Sequence, residues 1–505
     1  MLPDVISSGS AAPAPASDLA ASDPLACGVP MISAEVAVHI LALVGDLSMG
    51  QPPAQSQRAA RLAAQVAQLD GAGAQDILHA RLVALLRWSG CTANAAGFAN
   101  LLGDDVGGRE AMLRHGLPPD HPLTFSNIEP LARIHCEVAG DVAGMLGLPP
   151  AVEAGLRHVW EHFDGSGAPQ QLSGDQVPAL VYYTSLAGDL DILGRTHGTD
   201  GAIRMVLASG GIKYPAPLAE RVAAQAGAWL AALDGQDTLA SSGELPAHEV
   251  PLSIVADLIE LKLPWLTGYS RRVSELAARA AALAGLAPLQ QQGLVRAALL
   301  HGIGRVSVSN TIWERAGRPG VDDWERIRLA PYWTARAGAL IPALREHTAL
   351  ASQLYERLDG TGYFRGLDRD TLGQPARLLA VAAAHAALCA RRPWRVALTM
   401  GEAADLLTQQ AADGLFDADA VRWVLAAAAG DAGNSLPVPV RKGLLSEREV
   451  EVLRRISLGE SNKEAARVMQ ISPSTVRTHV ESIFRKLQCS TRAAATLKGL
   501  NLGLI

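Results

Sequence analysis

The sequence is poor in aromatic residues and has no pattern of paired cysteines. Aromatic residues make up 4% of the 505 residues, whereas hydrophobic residues make up 49%. Because abundant Ala and Leu favour helices packed on helices, we expect an all-α fold. The absence of a C-x-x-C pair argues against a disulfide framework and a thiolate zinc site. We therefore expect the five cysteines to be buried and to pack like small hydrophobic residues; they are Cys27, Cys91, Cys136, Cys389 and Cys489.

The sequence also lacks a long hydrophobic run. No stretch reaches about 18 uninterrupted apolar residues, and the N-terminal segment lacks the basic start and apolar centre of a signal peptide. We therefore expect a soluble, cytoplasmic protein with no membrane partner. Residues 1–30 are rich in Ala, Pro and Ser, a composition that predicts a disordered segment.

Charge is divided unevenly along the chain, whose net charge is −6. Residues 441–505 hold 12 Lys and Arg against 6 Asp and Glu, and the rest of the chain holds 32 against 44. A small basic tail on a large acidic body indicates that nucleic acid would bind to the tail. Gly and spaced Pro residues over 431–443 predict a linker between the two.

Between these segments the chain repeats itself. Residues 84–90 parallel 298–304, and residues 160–167 parallel 355–362, in the same order and with similar spacing. We interpret this as two copies of one helical domain, the alternative being chance similarity of Ala-rich helices. The predicted organisation is a disordered segment at 1–30, tandem helical bundles at 31–235 and 250–430, a linker at 431–443 and a four-helix domain at 444–505.

The tail carries explicit helix starts. In an S-x-x-E capping box the hydroxyl and the carboxylate satisfy two helix-end amides reciprocally, and a Ser-Pro pair places proline where no amide hydrogen is needed. The four predicted starts are Ser446 with Glu449, Ser461 with Glu464, Ser472 with Pro473, and Ser490.

The third of these helices is amphipathic. Its predicted inward stripe consists of Val476, Val480, Ile483, Phe484 and Leu487. Its other face offers Ser474, Arg477, Thr478, Glu481 and Arg485. A helix joined to its predecessor by a short link, with arginine on its open face, is typical of a helix-turn-helix that reads the major groove of double-stranded DNA.

The tail resembles the LuxR-type (GerE) helix-turn-helix family through the segments 461–464, 471–472, 475–479 and 486–487. The resemblance implies that Arg477, Thr478 and Glu481 contact base edges. It also implies phosphate contacts from the remaining predicted DNA-binding residues, Lys463, Thr475 and His479. Glu481 departs from the basic residue that some members carry. The alternative is a four-helix interaction module with a solvated basic face.

The repeated domain resembles the HD-GYP branch of the HD phosphohydrolases, in which His and Asp ligands hold two metals that hydrolyse cyclic di-GMP or related phosphoesters. In the second copy the resemblance rests on residues 267–273, 299–304 and 358–363. His301 remains at a family ligand position, whereas other residues occupy the remaining ones: Tyr269, Gly302, Ala330, Leu354, Tyr355 and Ala383 in the second copy, and Arg87, Trp88, Val159, Trp160 and Gly188 in the first.

We therefore expect no enzyme activity, no catalytic residues, no metal and no cofactor. His301 is predicted to be a core residue with a backbone hydrogen bond, and Asp164 and Asp359 to be turn formers. In the alternative, Glu356 or Asp257 rebuilds a one-metal site, and the chain is a metal-dependent HD-type phosphohydrolase acting on cyclic dinucleotides, with a DNA-binding tail.

These features predict a transcriptional regulator. Its inactive body would sense a small-molecule or nucleotide effector, or a partner, and control the tail, which would read a two-part DNA site as a homodimer. An assembly scaffold is the third interpretation.

Overall fold

The computed structural model describes residues 29–234, 247–431 and 443–505. The predicted disordered segment lies outside the described residues except for its last two positions, and so does the predicted linker except for its two ends. Helices dominate the described ranges, which confirms the all-α prediction. None of these helices is both long and apolar enough to cross a membrane.

The first repeat begins with a short strand and continues with helices only. Its elements are β1 (Met31–Ser33), α1 (Ala34–Ser48), α2 (Gln55–Leu69), α3 (Ala74–Leu86), α4 (Ala95–Leu102), α5 (Gly107–Leu113), α6 (Phe125–Met145), α7 (Pro150–Arg157), a 3-10 turn (Gly174–Gln176), α8 (Ala179–Ala208) and α9 (Ala216–Asp234). Helix α8 is kinked at Gly198, where φ is 71°.

The second repeat also begins with a short strand and continues with helices, with one more α-helix than the first in the described ranges. Its elements are β2 (Glu249–Pro251), α10 (Ser253–Glu260), a 3-10 turn (Pro264–Leu266), α11 (Tyr269–Leu283), α12 (Pro288–Leu300), a 3-10 turn (Ile303–Ser307), α13 (Asn310–Trp313), α14 (Val321–Arg328), α15 (Ala330–Leu340), a 3-10 turn (Pro342–Leu344), α16 (Arg345–Ala351), α17 (Gln374–Leu388), α18 (Met400–Ala412) and α19 (Ala418–Asp431).

The tail contains four helices. They are α20 (Glu447–Ser457), α21 (Asn462–Met469), α22 (Pro473–Leu487) and α23 (Arg492–Asn501). Their buried faces form a small hydrophobic core of their own.

The two repeats use equivalent close contacts. Directly after α3, Gly90 lies against the backbone carbonyl of His135, and directly after α12, Gly304 lies against that of Ala330. A Cβ atom at either glycine would collide with the facing carbonyl oxygen. The equivalence supports the interpretation of the chain as two copies of one bundle, while the exact domain boundaries stay predictions.

The two repeats of the body are in direct contact with each other. Strands β1 and β2 pair antiparallel, with Ile32 opposite Val250. Asp105 of the first repeat forms a fully buried ion pair with Lys262 of the second and accepts a hydrogen bond from the Asn310 amide at 2.7 Å. One hydrophobic core runs through both repeats.

The tail packs against the body through α23. The side chains of Ala494 and Leu497 are fully buried and belong to the core that the two repeats share. At the edge of this contact, the Ser490 amide donates to Glu137 Oε1 at 2.5 Å, and Lys498 Nζ lies 3.3 Å from Asp141 Oδ2. The fourth tail helix therefore packs against α6 of the first repeat and α10 of the second.

The cysteines within the described residues are all free. Cys91 and Cys136 are buried as predicted, whereas Cys389 and Cys489 are only half-buried. Cys27 lies outside the described residues.

Candidate DNA-reading surface and body clefts

The tail helices begin largely where the sequence predicts. Ser446 and Ser461 form capping boxes with the glutamates three residues on, and the Ser472 hydroxyl accepts from the Thr475 amide at 3.0 Å. The predicted fourth start is wrong by one residue. Thr491 caps α23, because the Ser490 side chain is turned away to Glu137 of the body.

Helix α22 presents a polar face to solvent. Its buried stripe contains Val476, Val480, Ile483 and Leu487, with Phe484 partly buried. Of the residues predicted to contact DNA, Lys463 on α21 is exposed, as are Thr475, Arg477, Thr478 and Glu481 on α22, and His479 is half-buried. The structure thus places all six on α21 and α22, and their contacts with DNA stay predictions.

Arg477 and Glu481 form an exposed ion pair one helical turn apart. Arg477 Nε lies 2.9 Å from Glu481 Oε1, and the two side chains are 76% and 62% exposed. An exposed pair of this kind contributes little stability and is easily exchanged for other partners. The ion pair therefore does not prevent the guanidinium of Arg477 from exchanging Glu481 for another partner.

A neutral histidine occupies the centre of the second-repeat cleft. His301 Nδ1 lies 2.6 Å from the Ala298 carbonyl oxygen and donates to it, which leaves Nε2 as the acceptor for Arg305 Nη2 at 3.3 Å. Burial, and then the charge of Arg305, lower the pKa of His301 to about 3. The prediction that His301 is a core residue with a backbone hydrogen bond is confirmed.

Arg305 is the residue of this cleft that the sequence analysis missed. Its Nη2 also donates to the Tyr355 hydroxyl at 2.7 Å, while Nη1 is buried without a partner among the described residues. Tyr269, at the position of the family's early His, donates to the Ala383 carbonyl at 3.0 Å. The signal that could have identified Arg305 is a charged residue in an otherwise apolar turn after a buried helix.

A buried guanidinium lies at the centre of the first repeat. Arg87 Nη2 donates to Gln55 Oε1 at 2.6 Å, and Gln55 Nε2 donates to Asp191 Oδ2 at 3.3 Å. Arg87 lies over the ring of Trp88 at 4.0 Å and beside Gly188, where a side chain would contact it. Burial lowers the pKa of Arg87 to about 10. Arg87 borders a cavity of about 480 Å³.

The carboxylates named above as alternative metal ligands are engaged elsewhere. Asp257 forms a two-pronged pair with Arg271 at 2.8 and 2.5 Å. Both oxygens of Glu356 accept backbone amides, from Arg365 at 3.0 Å and Leu367 at 3.1 Å. Within the ranges that the structure describes, no group of three or more His, Cys, Asp and Glu side chains could hold a metal ion. The residues present therefore do not fit the donor set of a two-metal centre.

The two predicted turn aspartates are confirmed in that role. Asp164 Oδ1 accepts from the Ser166 amide at 2.8 Å, and Asp359 Oδ1 accepts from the Thr361 amide at 3.0 Å. Hydrogen bonds from the Ser166 and Thr361 side chains lower the pKa of these two exposed carboxyls.

Two family comparisons agree with this architecture. Residues 253–420 match the family described as HD domain, and residues 443–498 match the bacterial regulatory proteins of the luxR family. The chain is therefore an HD-domain, phosphodiesterase-like body fused to a LuxR-type helix-turn-helix. A helix-turn-helix of this type implies DNA binding.

Relatives of the body include the 3′3′-cGAMP-specific phosphodiesterase 3 of Vibrio cholerae serotype O1. It is 24% identical over 404 residues, which cover 72% of this chain and 88% of the relative. A crystal structure of a cyclic GMP-AMP specific phosphodiesterase from V. cholerae covers 81% of this chain with a TM-score of 0.57 at 21% identity, which shows a shared fold.

Relatives of the tail include the nitrate/nitrite response regulator NarP of Escherichia coli. It is 44% identical over 54 residues, which cover 11% of this chain and 25% of NarP. The probable transcriptional regulatory protein NarL of Mycobacterium tuberculosis is also 44% identical over 62 residues, or 12% of this chain and 29% of that regulator. The likeness to these regulators is confined to the tail.

One prediction must be corrected. The missing family ligands led us to predict that the chain is not an enzyme. That prediction is wrong, because the similarity to a cGAMP phosphodiesterase extends over 72% of the chain and is accompanied by a matching fold, which points to an HD-type hydrolase. The loss of the family ligands at single motif positions therefore does not exclude a hydrolase.

Proposed function

We propose that the chain is a DNA-binding transcriptional regulator whose HD-like body responds to a ligand or partner and controls the tail. The observation that carries this proposal is that α22 exposes its polar face while α23 is packed on the body. A DNA-reading surface is thus held on a large domain by a docked helix. A change in the body that alters this contact would alter how the tail meets DNA.

The charge distribution indicates whether docking of the tail raises or lowers its affinity for DNA. Residues 1–440 have an excess of acidic residues, 44 against 32 basic ones, and the tail has an excess of basic residues. DNA phosphates that approach the docked tail also approach the acidic body, and this repulsion weakens association. We propose that the docked arrangement has the lower DNA affinity, and that two released tails read a two-part site as a homodimer.

The test of DNA reading starts from a pool of random duplexes. The full chain is expected to enrich a sequence from this pool. Arg477→Ala should abolish the preference for that sequence, because a forked contact to a guanine edge is lost. Lys463→Ala should weaken binding to all duplexes alike. It should also reduce the slope of log affinity against log salt concentration by about 1. A chain that enriches no duplex would refute the proposal.

The test of control by the body uses the docking contact. Glu137→Ala removes the carboxylate that receives the Ser490 amide and hydroxyl. We expect DNA affinity to rise about threefold or more, since the tail leaves the acidic body more easily. Glu220→Ala, an exposed site on α9, makes the same change in charge and serves as the control. Equal affinities of these two variants would contradict control through docking.

A second candidate function is cyclic dinucleotide hydrolysis. It is favoured by the length of the similarity to the V. cholerae phosphodiesterase. The purified full chain should then convert 3′3′-cGAMP or cyclic di-GMP to linear products, measured by chromatography with and without a chelator. Intact substrate after prolonged incubation would eliminate this candidate and leave the first one standing.

A further inference from the structure

A cavity of about 650 Å³ lies between the second repeat and the tail. We call it the junction cavity. One wall comes from the start of α11 and the end of α17, and the other comes from α20 and α21 of the tail. The lining residues that matter here are Trp265, His385, Arg391, Arg392, Arg455 and Glu464.

Arg392 is a buried cation in the wall of this cavity. It is 7% exposed and stacks against the rings of Trp265 and Tyr269 at 4.9 and 5.1 Å. Within the described residues its side chain donates one hydrogen bond, to the Trp265 carbonyl at 3.4 Å, and has no carboxylate partner. Burial lowers the pKa of Arg392, and the charges of Arg305 and Arg395 lower it further.

Another deeply buried cation of the body has a carboxylate partner. Lys262 is 1% exposed and is paired with the buried carboxylate of Asp105. Burying a cation without an anion costs several kcal/mol.

Within the described ranges the buried Arg87 and Arg305 also lack a carboxylate partner, but each donates a short hydrogen bond, to Gln55 at 2.6 Å and to Tyr355 at 2.7 Å. Among the described residues Arg392 has only its 3.4 Å bond, so a ligand oxygen in the cavity would complete its donors.

Three further polar atoms of the cavity wall are buried without partners among the described residues. They are Nε1 of Trp265, Nδ1 of His385 and Oε2 of Glu460. An indole N–H can only donate, and it complements an anion. Of the acidic residues of the wall, Glu464 caps α21, and the other oxygen of Glu460, Oε1, pairs with Arg455 at 3.1 Å.

We propose that the junction cavity binds a small phosphate-bearing ligand of about mononucleotide size. A guanidinium fork suits phosphate oxygens, and Arg392 would supply it, with the exposed Arg391 at the mouth. The volume lies within the range of about 300 to 1,000 Å³ that is usual for small-molecule sites.

The position of the cavity gives the ligand a second effect. Since the tail supplies one wall, a bound ligand would tie the tail to the second repeat and stabilise the docked arrangement. This step rests on the proposed function, in which docking lowers DNA affinity. The binding of the ligand itself does not rest on it.

Calorimetry on the full chain tests the site with AMP and adenosine as the probes. We expect AMP to bind at least about tenfold more tightly than adenosine, and Arg392→Met to remove this difference. Arg422→Met, an exposed arginine of α19, is the control and should keep it. Equal binding of AMP and adenosine to the wild type, or no binding of AMP at millimolar concentrations, would overturn the proposal.

Two additions separate ligand binding from a structural role of Arg392. Without ligand, the midpoint of thermal unfolding of Arg392→Met should not fall below that of the wild type, since an uncompensated buried charge is removed. A clearly lower midpoint would show that Arg392 is a structural residue and would contradict the proposal. Arg392→Lys, which keeps the charge and loses the fork, should bind AMP with intermediate affinity and serves if the Met variant does not fold.

The coupling is measured separately, as DNA affinity with and without AMP at matched ionic strength. We expect AMP to weaken DNA binding of the wild type about threefold or more and to leave Arg392→Met unchanged. If AMP binds in calorimetry but does not alter DNA affinity, the control of the tail by docking is wrong and the ligand site stands. If AMP does not bind, the ligand site is wrong and the proposed DNA regulator stands.

Discussion

The two repeats of the body share a framework and differ at its centre. In the first repeat both oxygens of Glu161 accept backbone amides of the following loop, at 2.7 and 3.0 Å. In the second repeat both oxygens of Glu356 do the same, at 3.0 and 3.1 Å. A second pair of buried carboxyls, Asp46 and Glu260, accepts the Ser56 and Ser270 amides near the start of the following helix.

The centres of the two clefts have no such correspondence. Arg87, which lies between Gln55 and Trp88, is buried at the centre of the first repeat, whereas the second holds the neutral His301 against Arg305. The comparison teaches that the two repeats share the contacts that set their backbone and loop geometry. The residues at their centres differ, because the fold does not depend on them. If this is right, equivalent framework substitutions should have equal effects in the two repeats.

The largest expected effect comes from the glycines that touch a carbonyl. Gly90→Ala and Gly304→Ala should each lower the free energy of unfolding by about 3 kcal/mol, because the added Cβ must displace the backbone of the neighbouring helix. Urea denaturation of the full chain measures this. Gly293→Ala in α12, with open space around it, should instead raise stability by about 0.5 to 1 kcal/mol. A tolerated alanine at either Gly90 or Gly304 would break the equivalence.

A smaller effect is expected from the loop glutamates. Glu161→Gln and Glu356→Gln each leave one backbone amide facing an NH₂ group, which should cost about 2 kcal/mol. The two losses should agree within about 1 kcal/mol if the loops are equivalent. Glu220→Gln on the surface is the control. A large loss in one repeat alone would mean that the second loop is held by other contacts.

The tail shows which helix caps can be predicted from local sequence and which cannot. The capping boxes at Ser446 and Ser461 could be predicted, because the hydroxyl and the carboxylate that form them are three residues apart in the chain. The cap of α23 could not, because Glu137, more than three hundred residues away, takes Ser490 and leaves Thr491 as the cap. Local rules fail where a distant partner competes for the same group.

The body shows the same limit at its functional centre. The repeat and the helical fold followed from similar segments in the two halves. The hydrogen bond of Arg305 to Tyr355, fifty residues further along the chain, and the lack of a carboxylate beside Arg392 depend on helices that meet only after folding. The expectation of an inactive enzyme failed for a related reason, since it weighed single motif positions and not the similarity of the whole body.

The smallest expected effect concerns pH and the paired carboxyls Asp46 and Glu260. Burial is the main cause that raises each pKa to about 7, against hydrogen bonds from Ser56 and Ser270 that lower it. An acid whose pKa is higher in the folded than in the unfolded state holds its proton more tightly when folded. It therefore reduces stability as the pH rises from about 4 to about 7.

Asp46→Asn and Glu260→Gln remove this titration and keep an oxygen that accepts the amide. Relative to the wild type, each variant should gain about 1 kcal/mol in free energy of unfolding between pH 6 and pH 7, and the double variant should gain the sum. Urea denaturation at the two pH values gives these differences. A gain for one residue without the other would show that the two repeats bury their equivalent carboxyls in different environments.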